Sequence, residues 1–75
     1  MLDNILEIIA EIKGEPMDKY GAEDNLITDI GLSSFEVIQL ISAVEQTYDL
    51  RVRARDLDRF TTPRSIVDYI REIKK

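Results

Sequence analysis

The sequence predicts an all-α fold, a small four-helix bundle of three longer helices and one short one. Two observations carry this expectation. Apolar residues recur at three- and four-residue steps in three separate stretches, and helix-boundary residues bracket those stretches. A third observation sets the scale: 75 residues without cysteine give room for one modest core, held by packing alone. The 44% of hydrophobic residues is enough to attempt one, and the whole of 1–75 reads as a single domain.

In the first stretch Leu2, Ile5, Leu6, Ile9 and Ile12 share one face while Asp3, Glu7 and Glu11 take others. This is an amphipathic helix over 2–13, ended by Gly14 and Pro16. From Gly14 to Ser33 no helical or strand period persists, and a late apolar cluster of Leu26, Ile27, Ile30 and Leu32 is expected to pin the loop onto the core. The second helix has the clearest start, because Ser33 followed by Glu36 is an S-x-x-E capping box. Val37, Ile41, Val44 and Tyr48 form its apolar stripe, widened by Ile38 and Leu40. Phe35, Gln39, Ser42 and Gln46 make a second stripe that should meet solvent or a partner. A short helical turn is expected around Ala54 to Asp58. Thr62 then caps the last helix, with Pro63 in its first position, where a missing N–H does no harm. Ile66, Val67, Ile70 and Ile73 are expected to face inward, and Arg71, Lys74 and Lys75 suit the carboxyl end of the helix dipole.

Charge is distributed unevenly. Residues 1–50 set two lysines against eleven acids, for −9, whereas residues 51–75 set eight bases against four acids, for +4. An acidic chain is a poor fit to nucleic acid, which needs a positive footprint, although the basic end suits an acidic partner. The start of the chain does not read as a signal peptide and no apolar run reaches membrane-spanning length, so a cytoplasmic protein with no membrane insertion is expected. With no histidine and no cysteine, the commonest general base and the thiol nucleophile are missing. No phosphate-cradling glycine loop occurs, and the row Asp3, Glu7, Glu11 reads as a solvated face, not a metal site. An enzyme is not expected.

What remains is a serine at the exposed amino end of the second helix, in Asp29-Ile30-Gly31-Leu32-Ser33-Ser34-Phe35. Free N–H groups and the positive end of the helix dipole suit a phosphate or phosphodiester there. The plainer alternative is that both serines serve only as caps.

This run resembles the Asp-x-Gly-x-Asp-Ser-Leu-like motif of the acyl carrier protein family, which includes carrier domains of polyketide and peptide synthesis. The likeness continues through Val37-Ile38-Gln39-Leu40, Ala43-Val44-Glu45, Tyr48, Thr61-Thr62 and Ile66-Val67-Asp68-Tyr69-Ile70, and the long loop is also a family feature. It implies a bundle of acyl-carrier type and a covalent 4′-phosphopantetheine arm from coenzyme A. The serine motif places the arm on Ser34. The implied partners are a phosphopantetheinyl transferase and acyl-loading and acyl-processing enzymes of fatty-acid, polyketide or related biosynthesis, met by a monomer. The partner face would be Phe35, Glu36, Gln39, Ser42 and Gln46. The family can shelter an acyl chain among its helices; Ile5, Ile9, Ile30, Ile38, Ile41, Val44 and Ile66 would line such a space, or simply pack the core.

Two departures stand out. Ser33 replaces the aspartate usual before the modified serine, so the choice between Ser33 and Ser34 rests on register, with Phe35 matching the bulky residue that follows. Bacterial fatty-acid carriers typically present a markedly acidic second helix to basic patches on their partners. Here Gln39 and Gln46 stand at often-acidic positions, and Arg51, Arg53 and Arg55 follow the helix. Three readings stay open: a carrier for a specialised route (D-alanine transfer to a cell-wall polymer being a narrow version), a housekeeping fatty-acid carrier, and an unmodified interaction module.

Overall fold

A computed structural model describes residues 1–74, so the expectation for Lys75 lies outside the described residues. Helix α1 (Leu2–Lys13) matches the span expected of it. Gly14 ends it in the left-handed conformation, φ 68°. The Gly14 N–H donates to Glu11 O at 3.3 Å and the Glu15 N–H to Ala10 O at 3.0 Å, a paired closure that satisfies the last carbonyls. Helix α2 (Ser34–Tyr48) begins directly after Ser33. Helix α3 (Pro63–Ile73) begins after Thr62, whose hydroxyl accepts from Ser65 N–H while the Ser65 hydroxyl oxygen accepts from Thr62 N–H. The short helix is a 3₁₀ segment, Ala54–Arg59, and a further 3₁₀ turn, Met17–Lys19, interrupts the long loop. Among the described residues there is no strand.

Helix α1 packs against both α2 and α3. Ile5 and Ile9 from α1, Leu40 and Val44 from α2, and Ile66 and Ile70 from α3 are wholly shielded from solvent. Leu26, also fully buried, joins them from the loop. Phe60 and Tyr69 meet edge to face at 5.3 Å, and the Arg59 guanidinium lies 5.0 Å from the Tyr69 ring centroid, which fastens the 3₁₀ segment to α3.

The long loop is held by its own hydrogen bonds. The Asn25 side-chain carbonyl accepts from both Ile27 N–H and Thr28 N–H at 2.9 Å, and Asp29 returns a carboxylate oxygen to Asn25 N–H at 2.8 Å. Leu26 N–H donates to Thr61 O at 2.9 Å, Arg64 N–H to Ala22 O at 2.9 Å, and Leu32 N–H to Leu26 O at 2.9 Å. The loop is thereby tied to the start of α3 as well as to the core.

Three residues expected inside lie outside. Ile27 is 52% exposed because the Asn25 turn aims Leu26 inward and its neighbour outward. Ile38 is 62% exposed: the buried stripe of α2 runs through Leu40, Ile41 and Val44, and a 100° step per residue carries Ile38 round toward Phe35 and Ser42. Ile73, the last residue of α3, is 49% exposed, past the reach of the core that buries Ile66, Val67 and Ile70.

Adjacent truncations in the loop should therefore differ sharply. Leu26→Ala is expected to cost about 3 kcal/mol, the usual range for a leucine cavity in a core, and Ile27→Ala less than about 0.5 kcal/mol. Urea denaturation of both variants checks this, and equal costs would contradict the placement of Leu26 as the loop's anchor.

Candidate functional site

The site is built from the loop upward. Asp29 spends its carboxylate on the Asn25 amide, and Ile30 and Leu32 bury their side chains on either side of Gly31. Gly31 takes φ +86°, a conformation that side-chain-bearing residues adopt only with strain. This turn delivers Ser33 in an extended conformation at the head of α2.

There the two serines separate by role. The Ser33 hydroxyl oxygen accepts from Glu36 N–H at 3.2 Å, and a Glu36 carboxylate oxygen accepts from Ser33 N–H at 2.9 Å. Ser33 is thus the cap. Ser34 is the first helical residue, exposed, and its hydroxyl makes no hydrogen bond among the described residues. The backbone N–H groups of Ser34 and Phe35 likewise have no acceptor among them. A free hydroxyl beside two free amides, at the positive end of a 15-residue helix, is a donor set that suits a phosphodiester. Lys13 adds positive charge from α1, its Nζ 3.4 Å from Gly31 O.

The remaining expected site residues divide. Phe35 (69% exposed), Gln39, Ser42 and Gln46 all face solvent along α2, and Ile38 joins them. Glu36 is half-buried at the edge of this face and committed to the capping box. The other acid of α2, Glu45, is also committed: its carboxylate accepts from Val52 N–H at 2.8 Å. Sequence reasoning did not anticipate the parts played by Asn25 or Lys13. The Asn-x-x-x-Asp spacing in 25–29 offered a turn signal for the first, whereas the approach of Lys13 depends on how α1 docks and has no local signature.

No pocket opens among the described residues. Of the side chains expected to line an acyl-sheltering space, Ile5, Ile9, Ile30, Ile41, Val44 and Ile66 are packed into the core, and Ile38 lies on the surface instead.

A helical scaffold that holds an exposed serine at a helix amino end, its hydroxyl unengaged among the described residues, suits a protein that is modified there and presented to others. The comparisons give that class a family. Residues 3–70 match the family model described as a phosphopantetheine attachment site. An acyl carrier protein of Clostridium perfringens is 32% identical over 72 residues, 96% of this chain and 95% of its own length. One from Bdellovibrio bacteriovorus is 30% identical over 66 residues, 88% of this chain and 85% of its own. A solved structure from Mycobacterium tuberculosis, described as an acyl carrier protein, superposes with a TM-score of 0.85 at 22% identity, over 97% of this chain and 99% of that one, which shows the shared fold. The chain belongs to the acyl carrier protein family of phosphopantetheine-bearing proteins. It is a non-catalytic carrier with a covalent 4′-phosphopantetheine arm, and that role implies a phosphopantetheinyl transferase and biosynthetic enzymes as partners.

The capping box gives the site a pH signature. The backbone N–H of Ser33, with help from the Lys13 charge and the Ser33 hydroxyl, holds the Glu36 carboxyl below the ordinary carboxylate range, against a smaller opposing effect of burial. A carboxyl whose pKa is depressed by folding contributes stability above its unfolded value, about 4.3, and loses it as pH falls through the lower folded value. In an NMR titration the Ser33 amide resonance should move with a midpoint below that of a free glutamate, and Glu36→Gln should abolish the movement. A midpoint at or above the unfolded value would contradict the assignment.

Proposed function

We propose that Ser34 is the residue that carries the phosphopantetheine arm, and that Ser33 is a structural cap. The observation behind this reading is the difference between the two hydroxyls: that of Ser33 is consumed by Glu36 N–H, while that of Ser34 is exposed and unengaged. The arm supplies the thiol on which acyl groups travel as thioesters, which a cysteine-free chain cannot supply itself. Ser34 has no base within hydrogen-bonding reach among the described residues, so activation of its hydroxyl falls to the transferase.

The protein, on this reading, is a single carrier domain acting as a cytoplasmic monomer in a specialised acyl or aminoacyl route, in preference to housekeeping fatty-acid synthesis. Both acids of α2 are tied up within the fold, which leaves Phe35, Ile38, Gln39, Ser42 and Gln46 as a neutral, partly apolar face. An exposed aromatic at the amino end of such a face is the kind of side chain that dominates binding energy at protein interfaces.

The test is intact-protein mass after incubation with coenzyme A and a broad-specificity phosphopantetheinyl transferase. Wild type and Ser33→Ala should each gain one phosphopantetheine, although Ser33→Ala loses about 1 kcal/mol of stability with its cap. Ser34→Ala should gain nothing and melt near wild type. A gain that survives Ser34→Ala and disappears in Ser33→Ala would move the arm to the other serine.

The exposure of Phe35 yields a second expectation. Phe35→Ala should change stability by no more than about 0.5 kcal/mol and lower kcat/KM for acyl loading by a partner enzyme about tenfold or more. Thermal melts alongside loading rates decide the matter; a large drop in melting temperature with unchanged loading would put Phe35 in the core instead.

A further inference from the structure

Beyond the carboxyl end of α2 the chain runs through Leu50-Arg51-Val52-Arg53-Ala54-Arg55. Leu50 and Val52 pack against the core, so the alternation turns Arg51 and Arg53 outward, and Arg55 is exposed on the first turn of the 3₁₀ segment. None of the three makes an ion pair or a side-chain hydrogen bond among the described residues, in contrast to Arg59 with Glu72 and Arg64 with Glu23. The acids that flank them in sequence, Asp49, Asp56 and Asp58, lie outside ion-pair distance of them. Asp56 instead accepts the buried Tyr69 hydroxyl at 2.9 Å.

The backbone beneath the arginines is fastened at several points. Leu50 N–H donates to Glu45 O at 3.1 Å, Val52 N–H to the Glu45 carboxylate at 2.8 Å, and Asp56 N–H to Arg53 O at 2.9 Å. The Tyr69–Asp56 bond locks the following turn to α3. Three unpaired guanidinium groups are therefore displayed from a fixed frame, in a chain whose first fifty residues carry −9.

We infer that Arg51, Arg53 and Arg55 form a docking surface for an acidic patch on a partner enzyme. The three follow α2 in the chain, and α2 itself spans about 20 Å from Ser34 to Tyr48 at 1.5 Å per residue. The bonds from Leu50 N–H and Val52 N–H to Glu45 hold the segment that bears Arg51 and Arg53 against the last turn of α2, where it can add a charged edge to a protein interface. A protein is the occupant that the charge pattern fits. The net charge of −5 repels extended polyanions such as nucleic acid or an anionic bilayer at long range, whereas an acidic patch on a folded partner meets the arginines at short range. The mating surface would be neutral or apolar opposite Phe35 and Ile38 and acidic opposite the arginines.

This inference rests on the carrier reading, so its test begins by converting wild type, R51E/R53E/R55E and R51Q/R53Q/R55Q fully to the arm-bearing form, verified by intact mass. The probes are a fatty-acid malonyl transferase whose carrier-docking patch is basic, and the same enzyme with that patch's lysines and arginines replaced by glutamate. Wild type should load faster from the acidic version, with kcat/KM about tenfold higher at 50 mM than at 500 mM salt. The charge-reversed variant should prefer the basic version, and the glutamine variant should show neither preference. Equal rates for all three forms on both enzymes, with the arm in place, would overturn the inference. So would binding of the wild type, but not the glutamine variant, to phosphatidylglycerol vesicles without any preference between the enzymes. Failure of wild type to gain the arm at any serine would remove the carrier reading, and this inference with it.

Discussion

The reciprocal pair between Ser33 and Glu36 is the interaction on which the site depends. A helix must satisfy the amides of its first turn from outside itself. In α2 the Ser33 hydroxyl takes the Glu36 amide and the Glu36 carboxylate takes the Ser33 amide, which fixes the helix start between residues 33 and 34. The consequence falls on the neighbour. With Ser33 fully employed, Ser34 begins the helix with its hydroxyl and amide both unclaimed among the described residues. Had the cap lain one residue later, the Ser34 hydroxyl would have been spent on holding the helix together. The replacement of the family's usual aspartate by serine thus keeps the cap, because both residues offer a short side-chain oxygen at the same distance from the backbone. It removes one negative charge from beside Ser34, the proposed attachment point.

The long loop makes this arrangement possible, although a segment of that length without regular structure is ordinarily a source of mobility. Here its backbone polar groups are answered locally by Asn25 and Asp29, and at longer range by Thr61 and by the Arg64 amide. Leu26 supplies the apolar anchor from within the same turn. The loop behaves as a strap whose two ends are set by α1 and α2 and whose middle is fastened to the entrance of α3. Gly31, free to adopt a positive φ, then makes the last bend, so that the strap ends pointing into the helix.

Helix periodicity and capping chemistry were legible in the sequence because both are local. The span of α1 and the caps at Ser33 and Thr62 could be read from a few neighbouring residues each. The inward faces were legible only in part. Ile27, Ile38 and Ile73 are apolar, yet what buries an apolar side chain is the presence of another element opposite it, and periodicity alone carries no information about that. Ile38 shows the difficulty best, since it widens the stripe on paper and belongs to the exposed face in space. The partner face read from Phe35, Gln39, Ser42 and Gln46 is solvent-facing throughout, because polar residues at helical spacing carry their own signature. What the sequence concealed were contacts between distant residues: Lys13 with Gly31, Glu45 with Val52, and Asp56 with Tyr69.

Those distant contacts change the meaning of the charge pattern. Counted along the chain, α2 holds two acids and could be taken for a diluted version of an acidic recognition helix. In space neither acid is free, since Glu36 closes the cap and Glu45 holds Val52. Each carboxylate is oriented by its backbone hydrogen bond, and the exposed ion pair that its other oxygen could make with an incoming lysine or arginine is worth little. The fold therefore commits both carboxylates of α2 to backbone hydrogen bonds, charge intact, and leaves Arg51, Arg53 and Arg55 without an ion-pair partner among the described residues just beyond it. A helix that looks weakly acidic in one dimension carries, in three, an exposed row of Phe35, Ile38, Gln39, Ser42 and Gln46 and leads into a segment of exposed arginines.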